Sequence, residues 1–362
     1  KLLIAFWIFG LCNNVGYVVM LTAAHDLLAE VSNQTDDSEI KKEFKRDCNV
    51  IGTGAILLAD IVPSIVVKLI APFLPLMIHV RLTIAIISTT LGFLLAALGY
   101  GYKHGYWMII TGVVSISFSS GLGESSLLAY MSFFSTANVI STWSSGTGAA
   151  GLVGATLYSV LREAKINGRD SLLIMLIWPA LMASAFWGLV KHPHITRAQT
   201  RQSKLEETTQ DQIKEDIPTT EDVHTTLAKL KILRSIILIY TAPFGLVYLF
   251  EYFINQALYE VMYFPNDIFN RENQYRWFQT VYQVGVFISR SSMNIVHVKH
   301  LWLLAGLQLV NVVLLTLEAI FGFLFYVLIA VAWILWEGLL GGTSYVNTYR
   351  RINAEVPPLQ RE

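Results

Sequence analysis

Ten apolar runs, each of a length that can cross a bilayer, occupy most of this 362-residue chain. A membrane-spanning helix needs about 20 apolar residues. The runs cover roughly residues 2–28, 50–73, 82–101, 106–134, 142–161, 171–190, 234–263, 274–297, 301–322 and 324–349. Hydrophobic residues make up 54% of the chain and charged residues 14%, against about 25% charged in soluble domains. That composition excludes a soluble single-domain enzyme, and it excludes a disordered chain, which needs low hydrophobicity and high net charge. The formal net charge is zero, so no global basic field draws in nucleic acid.

The charges are concentrated. Residues 30–47 and 191–234 together hold 25 of the 52 charged side chains. The reading is an all-α polytopic membrane protein with about ten spans, in a six-plus-four arrangement. The first run is too long for a signal-peptide core, which extends over about 7–15 residues. Residues 191–233 form the one long polar connector, with basic ends and an acidic middle from Glu206 to Asp222. Basic residues beside span ends mark the cytosolic side. Leu227, Leu230 and Leu233, with lysines between them, predict a short interfacial helix leading out of it. Asn33-Gln34-Thr35 is a glycosylation sequon in the loop 30–49. Five spans separate it from the connector, so Asn33 is expected on the lumenal face. Arg162, Lys165 and Arg169 lie on that same face against the charge rule.

The expected domains are therefore a six-helix bundle over 1–190, a cytosolic linker over 191–233 and a second helical bundle over 234–362. This is the layout of major-facilitator transporters, whose halves are parallel repeats. A last C-terminal span expected from that layout is not found. Cys12 and Cys48 fall at different depths, which argues against a disulfide between them.

An ionisable side chain at membrane depth is costly, and so faces a cavity or a partner. Span two carries Asp60 and Lys68, span four Glu124, span seven Glu251, span eight Arg290 and span ten Glu337. In a six-plus-six repeat, spans four and ten correspond, and both place a Glu beside a Gly-Leu string. Spans two and eight correspond, and both carry a cation. Spans one and seven correspond, with Asn13 and Asn14 in one and Glu251, Asn255 and Gln256 in the other. By analogy with the major-facilitator fold, spans one, four, seven and ten line the central cavity. Helical spacing groups Tyr248, Glu251, Asn255 and Tyr259 on one face. It likewise groups Gln279, Gln283 and Arg290, then Ser117, Ser120 and Glu124, and finally Asp60, Ser64 and Lys68. Glu260 and Glu318, near span ends, are expected to be solvated. His25-Asp26 ends span one and reads as either a polar helix end or a pH sensor, since unperturbed His titrates near ~6.5.

The string Trp143-Ser144-Ser145-Gly146-Thr147-Gly148-Ala149-Ala150-Gly151 predicts close helix–helix contact. It lacks the Gly-Lys-Ser/Thr ending of a phosphate-binding P-loop. No metal-ligand spacing, catalytic triad or dinucleotide fingerprint is present, so neither an enzyme nor a cofactor is expected.

Several strings together resemble the battenin family of lysosomal membrane proteins over residues 1–353. They include Leu11-Cys12-Asn13-Asn14, Ala23-Ala24-His25-Asp26, Leu57-Leu58-Ala59-Asp60-Ile61 and Ser119-Ser120-Gly121-Leu122-Gly123-Glu124. Further ones are Glu251-Tyr252-Phe253-Ile254-Asn255-Gln256, Gln274-Tyr275-Arg276-Trp277, Ser289-Arg290-Ser291-Ser292 and Glu337-Gly338-Leu339-Leu340-Gly341-Gly342. The resemblance implies a major-facilitator-like fold in late endosomes and lysosomes. It implies export of glycerophosphodiesters from the lumen and a link to lysosomal pH and lipid homeostasis. The family's last span finds no counterpart after Glu355, and the connector has no acidic dileucine string.

A glycerophosphodiester carries one phosphate charge, and a guanidinium suits phosphate through paired donors. Arg290 is the candidate, with Lys68 as a second cation. Asn14, Glu251, Asn255, Gln256, Tyr282 and Gln283 complete the candidate binding set. Glu124, Glu251, Glu337, Asp60, His25 and Asp26 are candidates for a coupling proton, because burial favours a protonated carboxyl. The expected partners are this solute and membrane lipids. Two other classes stay open: a scaffold that binds cytosolic trafficking partners through 191–233, and an intramembrane lipid enzyme using His25 or the buried acids.

Overall fold

The computed structural model describes residues 1–35, 54–73, 77–102, 105–131, 134, 139–190, 237–264, 271–292, 296–324 and 326–355. The connector 191–233 and its expected interfacial helix lie outside these, as does most of loop 30–49. Asn33 is in the last turn of the first helix, and its side chain also lies outside the described residues.

Among the described residues every regular element is helical. The first half comprises α1 (Leu2–Thr35), α2 (Gly54–Ile70), α3 (Ile78–Gly99), α4 (Tyr106–Met131) and α5 (Val139–Glu163), then α6 (Gly168–Ile174) and α7 (Ile177–Leu189). The second half comprises α8 (Ala242–Phe253), α9 (Tyr259–Val261), α10 (Arg271–Ser291), α11 (Leu301–Phe321) and α12 (Val327–Glu355). A π-helical turn at Ile237–Thr241 leads into α8, and another at Ile254–Leu258 joins α8 to α9.

Among the described residues, seven stretches are long and apolar enough to span a membrane: Leu2–Leu28, Ile78–Gly99, Tyr106–Met131, Gly168–Leu189, Ile237–Val261, Leu301–Phe321 and Val327–Ile352. The other three expected spans fall on helices that miss this standard. α2 has 17 residues, α5 is diluted by glycine and serine, and α10 carries Arg271, Glu272, Arg276 and Arg290.

Helices α1 to α7 share one apolar core, with Phe6, Phe9, Val19, Phe93, Trp143 and Phe186 fully enclosed. The second half has two cores, one around Tyr259, Phe278 and Ile334 and one around Val247, Leu301 and Leu340. Leu69, Trp107, Trp302, Phe321 and Leu328 face outward. Large apolar side chains on the outside suit a lipid surface. α1 is apolar all round and buried from Ala5 to Leu28 apart from a few half-buried positions, which is how a central helix reads.

The glycine-rich string does what its composition implies. Gly10 of α1 lies so close to α5 that a Cβ there would be 2.6 Å from the Trp143 carbonyl oxygen. The reciprocal Cβ at Gly146 would run into the Trp7 carbonyl. Gly285 and Gly338 let α10 and α12 cross in the same way.

α2 needs a different device. Pro63 lies inside it and removes one rung of the backbone ladder. The Ser117 hydroxyl of α4 enters the opened turn. It donates to the Asp60 carbonyl and accepts the Ser64 N–H at 3.0 Å. One side chain thus satisfies both backbone groups, which surrounding lipid cannot do. We expect Ser117→Ala to lower stability by about 1–3 kcal/mol, the cost of buried groups left unbonded. Thermal unfolding of purified protein checks this, and a Tm equal to wild type would contradict it.

Candidate functional site

A cavity of about 590 Å³ lies between the two halves. α1 contributes Asn14 and Tyr17, α2 contributes Asp60, Ser64 and Lys68, and α4 contributes Ser117, Ser120 and Glu124. Thr147 comes from α5, and the second half adds Phe244, Tyr248, Tyr252, Arg290, Tyr345 and Tyr349. Its rim residues, such as Lys68 and Tyr349, lie toward the helix ends on the side where 190 and 237 flank the connector. The Lys68 side chain there is 43% exposed.

The opposite end is shut by ions. Asp26 of α1, 4% exposed, receives Arg276 of α10 at 2.5 and 2.7 Å on its two oxygens. Arg162 of α5 donates Nε–H to the same carboxylate at 3.0 Å, and the Tyr158 hydroxyl donates at 3.0 Å. Arg276 belongs to the second half, so this cluster ties the halves together. The same seam holds a Ser159–Thr280 hydroxyl pair at 3.2 Å and a Tyr275 hydroxyl donating to the Leu21 carbonyl at 3.1 Å. His25 stacks against Tyr275 with ring centroids 5.7 Å apart. Arg162, against the charge rule in the sequence, is therefore held here by Asp26 rather than marking topology.

Arg290 lies at the centre of the cavity wall. Its guanidinium donates to Thr147 Oγ1 at 3.3 Å and Tyr248 Oη at 3.1 Å, and stacks 4.3 Å from the Tyr345 ring centroid. Among the described residues no carboxylate forms an ion pair with it. Its neighbours are neutral hydroxyls and an aromatic face, so its charge is stabilised but not cancelled. Gly148 of α5 faces the Arg290 side chain, and a Cβ there would lie 3.3 Å from its Cβ.

The expected stripes meet in space. Asp60, Ser64 and Lys68 share the cavity wall with Ser117, Ser120 and Glu124. Lys68, the candidate second cation, borders the cavity and pairs across helices with Glu124 at 2.5 Å. Asp60 Oδ1 is buried without a hydrogen-bond partner. Asn14 turns its amide to the Gly10 carbonyl at 2.9 Å and still borders the cavity. Deeper in, a smaller chamber is lined by Glu251, Asn255, Gln256, Gln279, Tyr282 and Gln283, with Tyr17, Tyr248, Tyr252 and Arg290 common to both spaces.

Three acids depart from their expected settings. Glu337 is fully buried inside the second half and borders neither space. It accepts from the Tyr259 hydroxyl at 2.6 Å and from Gln308 at 3.0 Å. Tyr259, expected on the Glu251 face, reaches Glu337 because the π turn at Ile254–Leu258 shifts the register between them. Glu318 is buried rather than solvated, and accepts the Leu324 N–H at 2.8 Å beyond the left-handed Gly322 that ends α11. Glu260 is also buried. Among the described residues no group of three or more His, Cys, Asp or Glu is placed to hold a metal.

Sequence reasoning missed Tyr158, Arg162 and Arg276, and the tyrosines Tyr17, Tyr252, Tyr345 and Tyr349. The signal was present for Arg276. It is a cation on a predicted span, near the same end as the acid Asp26 of the first span.

Two helical halves around a charged central cavity define a membrane protein of transporter fold. A D-xylose–proton symporter superposes with a TM-score of 0.60 at 10% identity, over 96% of this chain and 80% of that one. A POT family transporter in complex with 5-aminolevulinic acid gives 0.58 at 11% identity, over 97% and 82%. At such identities the likeness is one of fold. In sequence, battenin of Canis lupus familiaris is 38% identical over 379 residues, spanning all of this chain and 85% of that one. Protein BTN1 of Chaetomium globosum is 34% identical over 400 residues, spanning all of this chain and 82% of that one. The match to the CLN3 protein family covers residues 4–362, and the chain belongs to that family.

Removing Asp26 strands two guanidinium groups. Asp26→Ala is expected to cost about 3–5 kcal/mol of stability, as a buried charge cluster losing its centre does. Arg162→Ala is expected to cost less, since Arg276 remains on the carboxylate. Thermal unfolding of the two variants ranks them, and the opposite order would contradict the assigned geometry.

Proposed function

We propose that this protein is a lysosomal solute transporter that exports glycerophosphodiesters by alternating access of its two halves. One observation carries the reading: Arg290, a guanidinium without a carboxylate partner, projects between the halves at the wall of a solvent-sized cavity. Such a group in a low-dielectric wall is a receptor for an anion, and its planar donors match a phosphate. Tyr248 and Thr147 already touch the guanidinium and are placed to share the anion. Five tyrosines supply hydroxyls and flat apolar faces for the rest of a polar organic solute.

Alternating access is supported by the asymmetry of the two ends. The cavity lies toward the connector end, and Asp26, Arg162 and Arg276 close the other. With the connector cytosolic, as its basic ends imply, the conformation faces the cytosol and the ion cluster is the lumenal closure. Opening to the lumen then requires the second half to part from Asp26. The lysosomal setting and the glycerophosphodiester substrate are what the resemblance to the battenin family implies. The full ten-span arrangement, with α2, α5 and α10 as further spans, belongs to the same reading.

Proton coupling is placed at the cavity acids. Lys68 is held by Glu124, and a proton on Glu124 releases Lys68 toward the solute's anion. Glu251 lies beyond Arg290 on the path to the closed end. Glu337, satisfied within the second half, drops out of this role.

Flux of labelled glycerophosphodiesters into proteoliposomes tests the proposal. Saturable flux is expected from the wild type, with Arg290→Ala reducing it at least about tenfold through loss of a charged hydrogen-bonding group. Unchanged flux in Arg290→Ala would overturn the phosphate assignment. No flux of any diester from folded, inserted protein would overturn the transporter. In the same assay the double variant Glu124→Gln, Glu251→Gln is expected to lose the pH dependence of flux. Its full retention would exclude these acids as the coupling groups.

A further inference from the structure

The small chamber beyond Arg290 has a chemistry of its own. Its volume is about 30 Å³, room for one or two water-sized groups, since a single water needs about 10–15 Å³ on this measure. Two acceptor atoms on its lining residues are buried and unpartnered, Glu251 Oε2 and Asn255 Oδ1. Both residues are more than nine-tenths buried, at 6% and 3% exposure. Leaving such atoms unmet costs free energy.

The local backbone explains how they come together. Asn255 sits in the π turn Ile254–Leu258, a widened turn that breaks helical register and recurs at functional sites. The Asn255 carbonyl is taken by Gln279 Nε2 at 2.8 Å, which braces the turn from α10. Glu251 is braced through its other oxygen, which accepts the Tyr282 hydroxyl. Gly341 leaves room for the carboxylate, because a Cβ there would come within 2.5 Å of Oε2. The free Glu251 oxygen is thus held by the partner of its other oxygen, and the Asn255 side chain is carried on a braced turn.

We propose that this chamber is a subsite for a hydrogen-bond-donating arm of the solute, with Glu251 and Asn255 as its specificity-determining residues. The proposal rests on the anion site at Arg290 and deepens it. An anion on Arg290 and Tyr248 lies one helical turn from Glu251, about 4.5 Å of rise, and Asn255 lies a further turn on. A short carbon arm ending in a vicinal diol or a primary ammonium bridges that step, with one O–H or N–H for each of the two oxygens. A trimethylammonium arm has no donor and is too wide for the chamber, so it stays in the larger, tyrosine-lined cavity. The site therefore takes phosphodiesters with at least one slender, donor-tipped arm, and the nature of the second arm matters less.

Two probes separate this from the reading it rests on. Glycerophosphocholine has donors only on its glycerol arm, and its 2,3-di-O-methyl ether has none. Binding of each to purified full-length protein is measured by competition against labelled glycerophosphocholine. The wild type is expected to prefer the free diol by about tenfold or more, the ratio that one buried charge-assisted hydrogen bond supports. In Asn255→Leu and Glu251→Gln the ratio within each variant is expected to fall toward one. Because the ratio is internal, a misfolded variant is recognised by loss of both probes, and the wild-type comparison still decides. Equal wild-type affinity for both probes, with both sensitive to Arg290→Ala, would overturn the subsite and leave the anion site standing. Affinity insensitive to Arg290→Ala would instead overturn the underlying reading.

Discussion

A charge inside a bundle of apolar helices has to be matched by something the protein supplies, and much of this structure follows from how each charge is matched. Asp26 is matched twice over, by Arg162 from its own half and Arg276 from the other. Lys68 is matched once, by Glu124. Arg290 has only hydroxyls and a ring face. The over-matched charge lies at the closed end and the less-matched ones line the cavity. Strong pairing holds the halves together at the closed end, and weak pairing leaves at Arg290 the group that the proposed function assigns to an anion. Moving a solute through such a molecule means exchanging these partnerships, because no charge can be left bare in lipid.

The helix crossings serve that arrangement. Glycines at positions 10, 146, 285 and 338 bring backbones within a distance that no Cβ allows. Gly148 and Gly151 make room for the side chains of Arg290 and Gln283 where α5 passes α10. The halves meet partly through Tyr252 and Phe287 of the second half, packed against the first-half core, and partly over such small residues and polar tips. A contact of that kind parts more readily than a packed apolar core, as an interface that exchanges partners requires. The bulky aliphatic packing lies within each half, where Phe9, Phe93 and Phe186 are enclosed on one side and Phe278 and Ile334 on the other.

Much of this was legible in the sequence. Apolar runs locate the helices, because bilayer thickness sets their length. The polar stripes Asp60–Ser64–Lys68, Ser117–Ser120–Glu124 and Gln279–Gln283–Arg290 all reach the same interior, because helical spacing alone decides which residues share a face. Legibility stops where tertiary geometry overrides the regular helix. The π turn at Ile254–Leu258 sends Tyr259 to Glu337 instead of the cavity. Glu318 and Glu260 are buried because loop backbone and neighbouring helices fold over the span ends. Arg162 read as a topology signal because its partner Asp26 is 136 positions away. The sequence also reads α2, α5 and α10 as spans, and these helices fall short of the membrane-crossing standard, α2 because it has 17 residues, α5 because of its glycines and serines and α10 because of its charges.

The central claim is that Arg290 is the anion receptor between the halves. A structure of the protein with bound glycerophosphodiester tests it most directly. The account requires the phosphate against the Arg290 guanidinium, flanked by Tyr248 and Thr147. A phosphate resting on Lys68 with Arg290 untouched, or lying outside the space between the halves, would contradict it.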